Sequence, residues 1–185
     1  MIPLPTGYTA ASLILTAVYA AFALAVMRNE AIPGSVLAAS LLLAAALIAL
    51  SVIDLAIFRL PDAITLPLIS AGPFLALAFG WDGVLWRIAS AGVGFIALFA
   101  VAHGYRALRG RAGLGLGDAK LFAAAGAWLG MEALPSVLLW ACGAALVGVF
   151  LAALAGRQVK ATSRIPFGPF LALGFWAVWL CGPLS

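Results

Sequence analysis

Apolar runs of about the length needed to cross a bilayer repeat along the whole chain, each broken by a few Gly, Pro or charged residues. A spanning helix takes roughly 20 apolar residues. On that measure the pattern predicts spans near 9–27, 33–53, 63–81, 84–107, 118–133, 135–155 and 165–184. Lipid offers no partner to a free N–H, so these segments must be helical. The expected fold is an all-α integral membrane protein, a bundle of six to seven transmembrane helices forming a single domain over residues 1–185. Small-residue stretches such as "AAGAWLG" and "ACGAALVG" fit close helix packing in lipid.

Composition strengthens this reading. Of the 185 residues, 66% are hydrophobic and 9% charged, with mean hydropathy +1.20, whereas a soluble domain carries about 25% charged residues. The pI of 9.6 does not point to nucleic acid, because the basic residues lie in short loops between apolar segments. Arg59, Arg106, Arg109, Arg111, Lys120, Arg157, Lys160 and Arg164 fall on one side of the predicted bundle. Only Arg28 and Arg87 fall on the other, beside Glu30, Asp82 and Glu132. The positive-inside rule then puts the first set and the N-terminus in the cytoplasm. The start, "MIPLPTGYTAAS", has no basic region, so no cleaved signal peptide is expected. Cys142 and Cys181 lie singly in apolar segments and read as two buried thiols, not as a zinc or redox pair.

The fifth span is anomalous. Ala119 to Gly130 is only 12 residues, about 18 Å of helix against a hydrocarbon core near 30 Å. Either it continues through Met131 and Leu134, or it starts with Asp118 sunk in the bundle.

Six acidic residues bound the possible chemistry. Glu30, Asp82 and Glu132 read as solvated turn residues. Asp54, Asp62 and Asp118 share the predicted cytoplasmic side, and a carboxylate at a membrane boundary points by default to function. Asp62, after Pro61, is placed either to N-cap its helix or to pair with Arg59 or a basic ligand. Asp118 also begins a helix, but a cap leaves unexplained the alternating Gly113, Gly115 and Gly117 before it. Such glycines permit positive φ or close approach of another chain. Asp54 ends "LLLAAALIALSVID", where the helix dipole disfavours an anion.

Two carboxylates brought together in a half-buried site share a proton. One can take a proton from water while the other polarises a peptide carbonyl and protonates the leaving amine. No rival set is present. His103, the only histidine, reads as an interface residue, "GLGLG" lacks dinucleotide-binding spacing, and no metal-ligand or cofactor motif occurs.

Three stretches carry a family resemblance: "IDLAIFRLPDAITLPL" (53–68), "GLGLGDAKLFAAAGAWLG" (113–130) and "RIPFGPFLALGFW" (164–176). In this order they resemble the ID…LPD…LT, GxGDxK and PFGP segments of the type IV prepilin peptidases, GxGD-type membrane aspartyl proteases. The resemblance covers about residues 40 to 180 and implies that Asp54 and Asp118 are the catalytic pair, 64 positions apart. It further implies prepilin or prepilin-like partners with a short basic leader and a hydrophobic helix. The leader would be cut at the cytoplasmic face of the bacterial inner membrane, with no cofactor. Asp54, Asp62 and Asp118 together suit a basic leader electrostatically. Longer members carry a CxxC-bearing N-terminal domain and also methylate the new N-terminus. These motifs are absent here, so the chain resembles the short, peptidase-only form of tight-adherence (Flp-type) pilus systems.

Supporting or substrate-binding roles fall to Asp62, Gly115, Gly117, Lys120, Pro166, Gly168 and Pro169. Lys120 either orients a carboxylate or anchors its helix at the interface. Pro166, Gly168 and Pro169 either form an irregular segment beside the site or simply start a helix. The alternative from another class is a small transporter using Asp54 and Asp118 as proton or cation sites, which the lack of an inverted repeat weakens.

Overall fold

The structure, a computed structural model, describes residues 16–21, 23–24, 34–78, 83–110, 113–154 and 166–184. Most of the expected first span lies outside them, as do Arg28, Glu30, Asp82, Arg111, Arg157, Lys160 and Arg164. The described residues form an all-α membrane protein with no strand. After a short N-terminal helical stretch come α1 (Gly34–Ile57), α2 (Asp62–Ala78), α3 (Val84–Arg109) and α4 (Leu116–Leu129). A 3₁₀ turn (Met131–Ala133) then leads into α5 (Leu134–Leu154), and α6 (Gly168–Cys181) follows.

Among the described residues, three stretches are long and apolar enough to cross a membrane: α1 with 24 residues, α3 with 26, and the 3₁₀ turn with α5, together 24. At 1.5 Å per residue each exceeds the hydrocarbon core. Their outward faces carry large apolar side chains, among them Leu41, Ile96 and Phe150. Two buried serines instead find partners within their own helix. Ser51 donates to the Leu47 carbonyl at 2.7 Å, and Ser90 to that of Trp86 at 2.7 Å. Such internal satisfaction is what an apolar surrounding demands.

The anomalous fifth span is α4, with 14 residues. It does not continue as one helix: Gly130, at φ 91°, breaks it before the 3₁₀ turn. Of the two lengths open to the sequence, the short one holds, with Asp118 only 6% exposed. α4 tolerates its shortness because protein surrounds it. It packs on α2, α3, α5 and α6, and every residue from Asp118 to Trp128 except Lys120 is buried.

Glycine sets the closeness of this packing. A Cβ added at Gly126 would stand 2.4 Å from the Ser90 carbonyl oxygen of α3. One at Gly72 would stand 2.4 Å from the Ala127 oxygen of α4. Backbones approach so nearly only where a side chain is missing. Trp128 links three helices: its indole N–H donates to the Leu68 carbonyl of α2 at 2.8 Å, and its ring meets Phe175 and Trp179 of α6 edge-on. Arg87, in the first turn of α3, donates to the Trp128 carbonyl at the far end of α4. The N-terminal stretch docks through Tyr19, stacked on Trp176 at 5.6 Å.

Two expectations need correction. Cys142 and Cys181 are exposed, not buried, because each lies on the outward face of its helix, where apolar thiols face lipid at no cost. The expected third and seventh spans are shorter as helices, 17 residues for α2 and 14 for α6. α2 also holds Pro67 and Pro73, which membrane helices accept when neighbours satisfy the freed carbonyls.

Candidate active site

The end of α1 and the starts of α2, α4 and α6 converge at one pole of the bundle. There a cleft of about 300 Å³ is lined by Asp54, Phe58, Arg59, Leu60, Asp62, Gly115, Leu116, Gly117, Asp118 and Lys120. Six of the nine residues singled out from sequence line it: Asp54, Asp62, Gly115, Gly117, Asp118 and Lys120. Gly168 abuts Asp54 from behind. Pro166 and Pro169 are not among the lining residues; Pro169 is buried in the first turn of α6, and Pro166 precedes that helix.

Asp54 lies in the last turn of α1 and is 5% exposed. The helix dipole of α1 disfavours a carboxylate there, and α6 supplies the compensation. The Gly168 N–H, at the N-terminus of α6, donates to Asp54 Oδ2 at 3.0 Å. A helix N-terminus favours an anion for the same reason that a C-terminus opposes one. The fit is tight: a Cβ on Gly168 would lie 2.7 Å from that oxygen.

Asp118 is held from its own loop. Its Oδ2 accepts the Gly115 N–H at 3.2 Å, half of a capping box at the start of α4. Its Oδ1 is buried and has no hydrogen-bond partner among the described residues. Asp54 and Asp118 are near enough to act on each other's charge. One carboxylate therefore keeps an oxygen available, and the other is fixed by a foreign helix.

The glycines before Asp118 serve close approach, not positive φ. Gly115 has φ −83°, and among the described residues of this loop only Gly110 enters the left-handed region, at φ 65°. The space that they leave is filled by the chain itself. A Cβ on Gly113 would strike the Tyr105 ring at 2.6 Å, and one on Gly117 would lie 2.9 Å from Leu60 Cβ. Gly117 thus lets the start of α4 press on the α1–α2 connection.

Asp62 does not cap α2. The Ile64 and Thr65 amides turn to the Pro61 carbonyl, at 3.1 and 3.2 Å, and the Asp62 carboxylate pairs with Lys120 Nζ at 2.5 Å. The carboxylate that Lys120 meets is thus Asp62, not Asp54 or Asp118. Arg59 and Lys120 offset part of the acidic charge around the cleft. His103 stacks on Phe99 at 5.9 Å and lines a neighbouring cleft of about 150 Å³.

Sequence reasoning missed Phe58. It ends α1 at φ 53°, a conformation uncommon for a bulky residue. Helices that close this way commonly use Gly, so nothing in "IFRLP" announced it.

Comparisons with known proteins bear on the family of the chain. No solved structure matches the chain. Among sequence relatives, the "Prepilin leader peptidase/N-methyltransferase" of Aeromonas hydrophila is 39% identical over 131 residues, 70% of this chain and 44% of the relative. Its namesake from Burkholderia pseudomallei (strain K96243) is 40% identical over 121 residues, 65% of this chain and 39% of the relative. That of Pseudomonas putida is 41% identical over 129 residues, 66% of this chain and 42% of the relative. The chain therefore spans less than half the length of the curated relatives that it matches. The family profile of the type IV leader peptidases matches residues 41–153, which include Asp54, Asp118 and the walls of the cleft, and the chain belongs to that family.

Proposed function

We propose that the chain is a membrane-embedded aspartyl endopeptidase that removes the short basic leader from prepilins or prepilin-like proteins. The observation that carries this reading is the meeting of Asp54 and Asp118, far apart in sequence, as two buried carboxylates on one cleft. Family membership and the relatives' names supply the substrate class.

In the proposed reaction, one aspartate takes a proton from water as the water oxygen bonds to the scissile carbonyl carbon. The partner, protonated, polarises the carbonyl oxygen and then gives its proton to the leaving amine as the C–N bond breaks. The products are the leader's carboxylate and the free amine of the mature protein. The Gly168 N–H and the Gly115 N–H each hold one carboxylate in place, the preorganisation that such chemistry needs.

The cleft faces the cytoplasm in this reading, with the bundle in the inner membrane. Four of the five described basic residues, Arg59, Arg106, Arg109 and Lys120, belong to elements that end at the cleft pole, and Arg87 to the opposite one. That asymmetry accords with the positive-inside rule. A prepilin made in the cytoplasm would meet the site there.

The test is co-expression with a prepilin, followed by the size of the product. Asp54→Asn and Asp118→Asn should each abolish cleavage at near-normal protein levels, while Asp62→Asn keeps some activity. Full cleavage by Asp118→Asn would end the aspartyl protease reading.

A further inference from the structure

Phe58 is at once strained, exposed and beside the site. Its amide donates to the Asp54 carbonyl at 2.9 Å, closing the last turn of α1 in the left-handed form at φ 53°. Glycine does this without steric penalty. A chain with 20 glycines nevertheless puts a phenylalanine here, 52% exposed, with its side chain on the cleft wall. A bulky residue kept in an unfavourable conformation points to a task for its side chain.

A second exposed apolar residue answers it. Leu116, 58% exposed, lines the same cleft two residues before Asp118. Each aspartate thus has an unburied apolar neighbour: Phe58 just past Asp54, Leu116 just before Asp118. Leu116 also lines the neighbouring cleft, whose walls include Phe99 and Leu114. At Leu116 the cleft of the two carboxylates thus borders one whose apolar wall is Phe99, Ala102 and Leu114, with His103 and Arg106 on its polar side.

We infer that Phe58 and Leu116 grip the hydrophobic stretch of the substrate immediately beyond the scissile bond. This inference rests on the proposed prepilin peptidase activity and adds to it a direction: the apolar side of the substrate leaves the dyad over Leu116 toward Phe99. Phe58 is then a specificity-determining residue, and its strain is the consequence of placing an aromatic ring where the helix must end.

The experiment uses the purified full chain in lipid nanodiscs and a synthetic prepilin segment with a basic leader and the first apolar residues of the mature part. Phe58→Gly and Phe58→Asn both accept the left-handed conformation, so each should keep the wild-type melting temperature. Their KM should rise about tenfold, the scale of one lost aromatic contact, with kcat nearly unchanged. Phe58→Tyr, which keeps the ring, should restore KM. Replacing the apolar residue after the scissile bond by Ser should raise KM for wild type and not further for Phe58→Gly. Wild-type KM in both Gly and Asn variants overturns the inference, as does a fall in thermal stability with KM unchanged, the mark of a lipid anchor. A wild type that does not cut the segment overturns the peptidase reading itself, and this inference with it.

Discussion

The Gly168 N–H donates to Asp54 Oδ2 at 3.0 Å, joining residues 114 positions apart and setting the N-terminus of one helix against the C-terminal turn of another. This contact fixes a carboxylate where its own helix would repel it. It depends on the absence of a side chain at position 168, because a Cβ would come within 2.7 Å of the carboxylate oxygen.

Gly168→Ala is therefore expected to impair cleavage without unfolding the bundle. Alanine favours helix over glycine, so α6 should form normally while Asp54 is pushed aside. Displacement of a reacting group by about 1 Å can lower turnover on the order of 100-fold. Prepilin cleavage rate and melting temperature, measured together, check this. Turnover at the wild-type level would show that the contact does not position Asp54.

Asp118 joins two roles that its substitutions can separate. Asparagine keeps an oxygen to accept the Gly115 N–H, whereas alanine leaves that amide without its cap. Asp118→Ala should be less stable than Asp118→Asn by about 1 kcal/mol, the usual worth of an N-terminal capping interaction. Both should be inactive. Equal stability of the two variants would remove capping from the account.

These details mark what was legible in the sequence. The helical bundle follows from hydropathy, and Asp54 and Asp118 stood out because an acid opposes the dipole at the end of α1 and because capping alone left the glycines before Asp118 unexplained. The convergence of "VID", "LPD" and "GLGD" on one cleft was readable as separate motifs in order. The details were not readable, because they depend on contacts between distant segments. Whether Asp62 caps α2 or binds Lys120 depends on how α2 and α4 sit together, 58 positions apart in the chain. The glycines before Asp118 announced close approach, but not that Tyr105 and Leu60 would fill the space. The left-handed Phe58 contradicts its own local preference, and a reading built on such preferences misses it.

The Asp62–Lys120 pair should contribute little to stability and respond to salt. Asp62 is 58% exposed, and exposed pairs are typically worth about 0.2–1 kcal/mol. A double-mutant cycle of Asp62→Asn and Lys120→Gln, read by thermal or denaturant unfolding, should give a coupling in that range. It should shrink at about 1 M salt, where the screening length is only a few ångströms. Coupling well above that range would mean that the pair is shielded in the folded protein.

The packing glycines give the sharpest contrast within one residue type. Gly126 meets the Ser90 backbone, where an added Cβ would lie 2.4 Å from the carbonyl oxygen and 2.8 Å from its carbon. Neither atom can move without shifting α3. Gly143, on α5, has nothing within 4 Å of the same hypothetical atom. Gly126→Ala should therefore destabilise the bundle by about 1–3 kcal/mol, the range for overpacking a close-packed interior. Gly143→Ala should leave it unchanged or stabilise it by about 0.5–1 kcal/mol through helix propensity. Because α4 carries Asp118 and is held by α3 along most of its length, Gly126→Ala should also reduce cleavage, whereas Gly143→Ala should not. Unfolding in detergent and prepilin processing in cells check the two readouts on the same variants. Equal behaviour of the two would mean that α3 and α4 do not approach through Gly126.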